Sequence, residues 1–157
     1  MTNTIQFPWQ QEAIARHSQR LLHSYQHWTG TSLLNVSGTP EEIAQALFEA
    51  PFVLASHGME ADPILNYGNR MALELWELSW EEFTRIPSCK AAEQAVQDER
   101  NGQLAQTTTK GFHKFPAIRI TSTGKRFQIE QVTMWNILDD QNQQCGQAAL
   151  FCEWKFI

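Results

Sequence analysis

The segment Ile64-Leu-Asn-Tyr-Gly-Asn-Arg-Met-Ala-Leu-Glu-Leu-Trp-Glu-Leu-Ser-Trp-Glu-Glu-Phe83 decides the fold. Its first five residues read as a short apolar strand, and Asn69 follows as an N-cap for a helix over residues 70–77. Ser79 and Glu82 then form a capping box, which starts another short helix that ends before Pro87. The segment therefore predicts a strand and two capped helices in immediate succession.

The chain before this segment predicts two helices and one strand. Apolar residues recur on one face over residues 8–28, which predicts an amphipathic helix that ends at Gly30. Thr39, Pro40 and Glu42 supply an N-cap, a first-turn proline and a capping box for a second helix. The apolar run over residues 52–57 lies between chain-breaking residues and predicts a strand.

The chain after this segment changes from helical to β-type. Residues 89–109 are polar with a weak helical stripe, which predicts a helix that is either continuous or broken at Gly102. That stripe contains Ala92, Ala95, Val96 and Leu104. Three strands follow over residues 112–121, 127–138 and 145–156, separated by turn-forming residues.

This order predicts an α+β fold, with one five-stranded antiparallel sheet and a helical crossover on one face. The N-terminal helix would cover part of the other face. In the long strand, Phe127 and Ile129 alternate out of phase with Val132 and Met134. Either a bulge switches the phase or both faces are covered, and we expect both.

Two sets of motifs carry a family resemblance. The strand, Asn69 cap and Ser79 capping box are similar to the core of PAS domains. The stretches 52–69, 118–127, 135–136 and 146–149 resemble the MEKHLA domain, a PAS-related family found alone in bacteria and fused to plant homeodomain–leucine zipper proteins. The resemblance extends over about residues 8–154 and implies a sensor-like fold that encloses a small apolar cavity. It supplies no ligand, so the cofactor stays unknown.

Length and composition limit the function classes. The 157 residues suit one domain, with an N-terminal amphipathic helix (residues 1–30) and a PAS-like MEKHLA part (31–157). A net charge of −5 argues against nucleic-acid binding, and the sequence has no homeodomain or zipper. No apolar run suits a membrane span, no secretory leader is evident, and the three cysteines lack metal spacing. We therefore expect a cytoplasmic protein.

A pocket between sheet and helices is the first candidate site, because an apolar, aromatic lining with few polar groups is typical of small-molecule sites. Plain core packing is the alternative for the same residues. The candidates are Leu54, His57, Leu65, Tyr67, Leu75, Trp76, Trp80, Phe83, Ile118, Ile120, Phe127, Ile129, Trp135 and Phe151.

Three other features have weaker chemical interpretations. His57, Glu60 and Asp62 are close in sequence and suit metal or acid–base chemistry, or else a structured turn. His23 and His27 lie one helical turn apart, without a third ligand. Cys89 lies where light-sensing PAS domains carry a flavin-adduct cysteine, but its neighbours do not match that motif. We predict no metal site and no catalytic residue.

The favoured function is a non-enzymatic sensor that binds a small apolar or amphipathic molecule. The alternative is an interaction module with a filled core, and an enzyme using the His57 cluster is less favoured. A homodimer would form through the N-terminal helix or the outer sheet face. There Val132, Met134 and Trp154, if partly uncovered, would leave an apolar patch. The polar strand residues Arg119, Lys125, Arg126, Gln128 and Glu130 are expected to form a solvated face.

Overall fold

The structure is a computed structural model that describes residues 7–93 and 97–157. Its helical elements are a 3₁₀ turn (Pro8–Gln10), α1 (Glu12–Thr29), α2 (Pro40–Phe48), α3 (Arg70–Trp76), α4 (Trp80–Phe83), a second 3₁₀ turn (Ser88–Ala91) and α5 (Gln97–Lys110). Its strands are β1 (Val53–His57), β2 (Leu65–Gly68), β3 (Phe112–Ile120), β4 (Arg126–Leu138), β5 (Gln144–Phe151) and β6 (Trp154–Phe156). None of the described helices is long and apolar enough to cross a bilayer.

The predicted helix caps are confirmed. The Thr39 hydroxyl accepts from the Glu42 amide at 3.2 Å, and the Glu42 carboxylate accepts from the Thr39 amide at 3.1 Å. Ser79 and Glu82 form the same reciprocal pair at 3.1 Å. Gly30 takes the left-handed conformation (φ 75°) that ends α1. These helix ends follow from short-range contacts, which is why the sequence predicts them well.

The strands form one antiparallel sheet with the order β2-β1-β5-β4-β3, and β6 pairs with β4. Helices α3 to α5 lie between β2 and β3 in the chain and form the predicted crossover. The five-stranded prediction is confirmed for the main path. The last strand, predicted over residues 145–156, is instead divided at Cys152 and Glu153, so β6 is a separate sixth strand.

A bulge sets the phase of the long strand β4. Phe115 pairs with Val132 and Ala117 pairs with Ile129, so β4 advances three residues while β3 advances two. This extra residue turns Val132 and Met134 to the same sheet face as Phe127 and Ile129. Both predicted explanations therefore hold, because the sheet is also covered on both faces.

The two sheet faces bury separate apolar clusters. The face toward the crossover, here called the crossover face, packs Trp76, Phe83, Phe127, Ile129 and Phe151 together with the bulged part of β4. The opposite face, here called the α1 face, lies under α1 and α2. It buries Leu21, Leu47, Leu54, Tyr67, Trp135 and Ile137. The N-terminal helix is thus part of the core of the same unit.

Specific hydrogen bonds hold α1 on the sheet. The Ser24 hydroxyl accepts from the Leu138 amide at 2.7 Å, and the Trp28 indole donates to the Asn136 carbonyl at 2.9 Å. Ser24 is fully buried. Because buried backbone groups need partners, these bonds determine where the helix sits along β4.

Three further expectations need correction or limitation. The predicted helix over 89–109 does not break at Gly102, since α5 runs through it. Instead the helical path is interrupted at Ala92, which is extended (φ −125°, ψ 143°). Residues 1–6 and 94–96, including Ala95 and Val96 of the predicted stripe, lie outside the described residues.

Val132 and Met134 are buried on the crossover face, so they form no exposed patch, whereas Trp154 is half-buried.

Candidate functional site

A small cavity lies between the crossover face and the helices above it. We call it the crossover cavity; its volume is about 70 Å³. Most of its wall is apolar, as expected for a site between two packed layers. The apolar lining consists of Ala55, Leu65, Trp76, Phe83, Ala91, Ile129, Val132, Met134, Ala149 and Phe151.

Polar side chains from several elements reach this cavity. They include His57 on β1, Ser88 in the second 3₁₀ turn, Arg100 on α5, Arg119 on β3 and Gln147 on β5. Strand alternation explains His57, because Val53, Ala55 and His57 share one side of β1. His57 also pairs with Leu65 and Gln147 on the two neighbouring strands. The sheet therefore brings together groups that are far apart in the sequence.

His57 presents an unpartnered nitrogen inside the protein. The residue is 7% exposed, and its Nδ1 lies 3.0 Å from the Gly58 carbonyl oxygen. A carbonyl only accepts hydrogen bonds, so Nδ1 carries the proton in the neutral ring and Nε2 is an acceptor. Among the described residues, the buried Nε2 has no hydrogen-bond partner. Burial lowers the pKa of His57, although the bond to Gly58 and the Glu60 charge oppose this shift.

The two acids near His57 in sequence are engaged in other contacts. The Glu60 carboxylate accepts from the Ile64 amide at 3.1 Å, and this backbone bond lowers the pKa of Glu60. The nearest polar contact of Asp62 is the Cys89 thiol at 3.8 Å. His57, Glu60 and Asp62 therefore do not converge on one ligand, and Glu60 acts as the turn-capping residue that the alternative interpretation predicted.

Gln147 holds helix α5 against the sheet. Its side-chain amide nitrogen lies 3.0 Å from the Leu104 carbonyl, 2.9 Å from the Thr108 hydroxyl and 3.1 Å from the Asn136 side-chain oxygen, and its two protons are shared among these three acceptors. Asn136 donates in turn to the Thr108 carbonyl at 3.2 Å. We call these two residues the amide clasp. The amide clasp therefore joins α5, on one side of the cavity, to the sheet on the other side.

The structure separates the predicted pocket residues into four groups, the last of which is Ile118 and Ile120 on β3. Those that line the crossover cavity are His57, Leu65, Trp76, Phe83, Ile129 and Phe151. Phe127 and Leu75 pack in the same apolar cluster behind this wall. Leu54, Tyr67, Trp80 and Trp135 belong to the cluster on the α1 face, so the sheet lies between them and the cavity.

Ile118 and Ile120 lie along the edge strand β3. Ile118 is 37% exposed and borders a surface cleft between α5 and β3, here called the edge cleft. Ile120 is half-buried, and its carbonyl accepts from the Trp76 indole at 2.9 Å. Arg119, which the sequence assigned to a solvated face, lines the cavity instead. Phe115 lies an even number of residues before Arg119 on the same strand, so both side chains are on one face of the sheet. The apolar Phe115 was therefore the sequence signal that could have placed Arg119 toward the cavity.

Arg100, Gln147 and His17 were not singled out from the sequence. Arg100 lies in a polar helix where an arginine usually faces solvent, and yet it is 6% exposed. His17 on α1 approaches Ser56 on β1 across the α1 face, with 2.9 Å between Nε2 and Oγ. Such contacts depend on tertiary packing and leave no local pattern.

The remaining sequence candidates lie away from the cavity. His23 and His27 are exposed on α1. Within residues 7–93 and 97–157, no group of three His, Cys, Asp or Glu side chains is arranged to hold a metal ion. Cys89 is half-buried in the second 3₁₀ turn, and its thiol contacts Asp62 rather than the cavity wall. The geometry thus places no thiol against the crossover cavity.

Comparison with solved structures defines the class of the fold. The PAS domain of a protein from Colwellia psychrerythraea superposes with a TM-score of 0.61 at 11% identity, covering 74% of this chain and 95% of that one. A structure of an RNA-binding light-oxygen-voltage receptor gives a TM-score of 0.63 at 12% identity over 76% of this chain and 35% of that one. The fold is therefore of the PAS type.

Sequence comparison defines the family. The MEKHLA domain model matches residues 15–156, and the chain belongs to this family. The homeobox-leucine zipper protein HOX9 of Oryza sativa is 20% identical over 139 residues, or 87% of this chain. ATHB-9 of Arabidopsis thaliana is 24% identical over 98 residues, or 62% of this chain. The match spans only 16% of HOX9 and 12% of ATHB-9.

Proposed function

We propose that this domain is a cytoplasmic, non-enzymatic sensor that holds a small amphipathic molecule between the crossover helices and the sheet. The observation that carries the proposal is that the buried Nε2 of His57, a residue that lines this largely apolar cavity, has no partner among the described residues. A buried polar atom without a partner is costly, so such atoms call for an explanation. A ligand that donates a hydrogen bond to this nitrogen is the explanation we adopt.

We propose no catalytic role, because the two acids near His57 are engaged in other contacts. Glu60 is engaged by backbone amides, and Asp62 contacts Cys89. His57 therefore has no adjacent carboxylate aligned to act with it as a general base. Binding would instead shift the packing of α5 on the sheet between two arrangements, with the amide clasp as the contact that changes.

Access to the cavity involves a second space. The edge cleft measures about 180 Å³ and shares Arg100 and Arg119 with the crossover cavity of about 70 Å³. Ligand pockets usually begin near about 300 Å³, and the two spaces together approach that size. A ligand would therefore enter at the edge cleft and displace the arginine side chains that divide it from the cavity.

The test is a thermal-shift screen with benzoate, benzamide and benzylamine, three probes of similar shape and different charge. We expect at least one of them to raise the melting temperature of the wild-type protein by several degrees. Ala149→Leu fills the cavity from β5, so it should abolish the shift. Ala105→Leu, at an exposed position on α5, is the matched control and should retain it.

Two outcomes would contradict the proposal. One is that no probe stabilises the wild-type protein, and the other is that Ala149→Leu keeps the full response. Conversion of a probe during incubation would contradict the non-enzymatic part. His57→Ala and Glu60→Ala proteins should then lose that conversion if the sequence cluster were catalytic.

A second candidate function is an interaction module with a filled core. It is favoured by the small volume of the crossover cavity, about 70 Å³. Phe156 and Ile157 are 53% and 55% exposed beside the half-buried Trp154, and they provide an apolar surface for a partner or a second copy. Sedimentation of wild-type and Phe156→Ser proteins distinguishes this candidate, because only an interface there would lose its dimer on substitution.

A further inference from the structure

Two arginines stand at the boundary between the crossover cavity and the edge cleft. Arg100 reaches it from α5, and Arg119 reaches it from β3. Arg100 is 6% exposed and Arg119 is half-buried. Both side chains line both spaces. Any molecule that occupies the two spaces together must therefore pass directly beside two guanidinium groups.

Neither guanidinium has a protein counter-ion. Among the residues that the structure describes, no carboxylate oxygen lies within 4.0 Å of either one. Arg100 donates to the Ser88 hydroxyl at 2.6 Å, and Arg119 donates to the Ile118 carbonyl at 2.8 Å. Each guanidinium has five N–H donors, so these bonds leave most of them available.

Without a bound anion, the two unpaired arginines lower the stability of the folded protein. Buried charges in proteins are normally paired, because removal from water disfavours the charged form. Burial, together with the nearby charge of Arg100, lowers the pKa of Arg119 to about 10. Burial also lowers the pKa of Arg100. Glu99 also lines the edge cleft and offsets part of this charge, since it raises the pKa of Arg119. Two like charges with no carboxylate within salt-bridge distance among the described residues still make the boundary attractive to an anion.

On the β1 side of the cavity, the polar group has the opposite hydrogen-bonding character. His57 Nε2 is an acceptor there, because Nδ1 is committed to the Gly58 carbonyl. The charged groups that influence this ring are Arg100 from α5 and Glu60 from the turn after β1. The site thus combines two cationic donors, largely apolar walls and one hydrogen-bond acceptor.

We propose that this site binds a small hydroxylated monocarboxylic acid, with its carboxylate on Arg100 and Arg119 and its hydroxyl donating to His57 Nε2. An apolar body of one ring needs a cavity of about 150 Å³, so binding would widen the crossover cavity beyond its present volume of about 70 Å³ as the arginine side chains move. Trp76, Phe83 and Met134 contact that body. This inference rests on the proposed sensor function and names the chemical class of its ligand.

Binding of three related probes tests it by calorimetry. The probe 4-hydroxybenzoate has both polar groups, 4-hydroxybenzamide lacks the charge, and benzoate lacks the hydroxyl. We expect 4-hydroxybenzoate to bind the wild-type protein about tenfold more tightly than the amide, since bonds to charged groups are the stronger ones. It should bind about fivefold more tightly than benzoate.

Matched variants assign these preferences to residues. Arg100→Met and Arg119→Met should each remove most of the preference for acid over amide, and Arg70→Met, at an exposed arginine on α3, should leave it unchanged. His57→Phe should remove the preference for the hydroxyl. The unliganded Arg100→Met protein should melt at the same or a higher temperature, because an unpaired buried charge is lost. A lower melting temperature would instead indicate a structural arginine and overturn the assignment.

The failure of this inference is distinguishable from failure of the sensor proposal. If benzamide or benzylamine binds in the cavity and Ala149→Leu blocks it, but the acids bind no better than the amides, the sensor proposal stands and the carboxylate assignment is wrong. The assignment is also wrong if the arginine variants keep the acid preference. If no probe of any charge binds, both proposals are wrong.

Discussion

The Nε2 atom of His17 on α1 lies 2.9 Å from the Oγ atom of Ser56 on β1, and this contact ties the N-terminal helix to the sheet. Ser56 donates its hydroxyl proton to the Asn66 side-chain oxygen at 2.5 Å. Because a hydroxyl has one proton, Ser56 must accept from His17, so Nε2 carries the proton of the neutral ring. The three side chains form a directed chain of hydrogen bonds under α1.

This contact predicts a pH dependence of stability. Burial, and then the charge of Arg20, lower the pKa of His17 from 6.5 to about 4. A histidine whose folded pKa is depressed favours the folded state above its unfolded pKa, and that stability is lost as the pH falls from 6.5 toward 4. The loss amounts to about 2 kcal/mol, after allowance for the partial exposure of the ring.

Urea unfolding between pH 6.5 and pH 5.5 measures this effect, in a range where carboxylates contribute little. His17→Gln keeps a donor for Ser56 without a titrating ring, so its free energy of unfolding should vary less with pH than that of the wild type. His23→Gln, at an exposed position on the same helix, should behave like the wild type. Equal slopes for all three proteins would contradict the assignment.

The two glycines of the α5 region should respond in opposite directions to alanine. Gly111 has φ 88°, and an added Cβ would overlap the indole ring of Trp28. Gly111→Ala should therefore cost more than about 2 kcal/mol, from backbone strain and displacement of Trp28. Gly102 lies inside α5 with open space around it, so Gly102→Ala should stabilise by up to about 1 kcal/mol. Urea unfolding of both variants checks the pair, and similar values would be inconsistent with this geometry.

Asn69 is expected to be among the most sensitive polar residues. It is fully buried; its Oδ1 accepts from the Leu54 and Ala72 amides at 3.1 and 3.2 Å, and its Nδ2 donates to the Phe52 carbonyl at 2.8 Å. Asn69→Ala leaves these buried backbone groups unpaired and should cost about 3 kcal/mol or more. Ser79→Ala removes an exposed cap and should cost about 1 kcal/mol. Chemical denaturation gives both values, and equal losses would show that Asn69 acts as a cap alone.

The amide clasp should control the opening of α5. This helix buries only Arg100 and Thr107 fully, so polar contacts rather than apolar packing hold much of it in place. Gln147→Leu removes three hydrogen bonds to α5 and Asn136 and should speed amide hydrogen exchange in α5 by about tenfold or more. Exchange in β4 should change little. Gln128→Leu, at an exposed position on β4, is the control, and unchanged α5 protection in Gln147→Leu would contradict this role.

Sequence and structure agree best where short-range contacts decide the conformation. Thr39, Asn69 and Ser79 bond to amides within three residues, so their patterns predict helix starts without knowledge of the rest of the chain. The order of strands and helices, together with the motif around Asn69, also predicted the PAS-type topology. Even the phase change in β4 followed from two apolar series that did not alternate together.

Agreement was weaker for the site, because the sequence does not say which sheet face a buried aromatic residue occupies. Leu54, Tyr67 and Trp135 are apolar or aromatic residues of the kind that line pockets, yet they pack under α1 on the α1 face. Trp76 and Phe83, with the same character, line the cavity. Both groups satisfy the same hydrophobic pattern, since a sheet covered on both sides needs apolar residues on both.

The sequence by itself determined the class of fold, its capped helices and the succession of its strands, because these follow from local hydrogen bonding and the period of apolar residues. Only the tertiary structure decided that Arg100 and Arg119 line one cavity together with His57, whose Nε2 has no hydrogen-bond partner among the described residues. That arrangement depends on the packing of α5 against β3 and on the register of β1 beside β5. It unites side chains separated by many residues, and no local pattern specifies such long-range contacts.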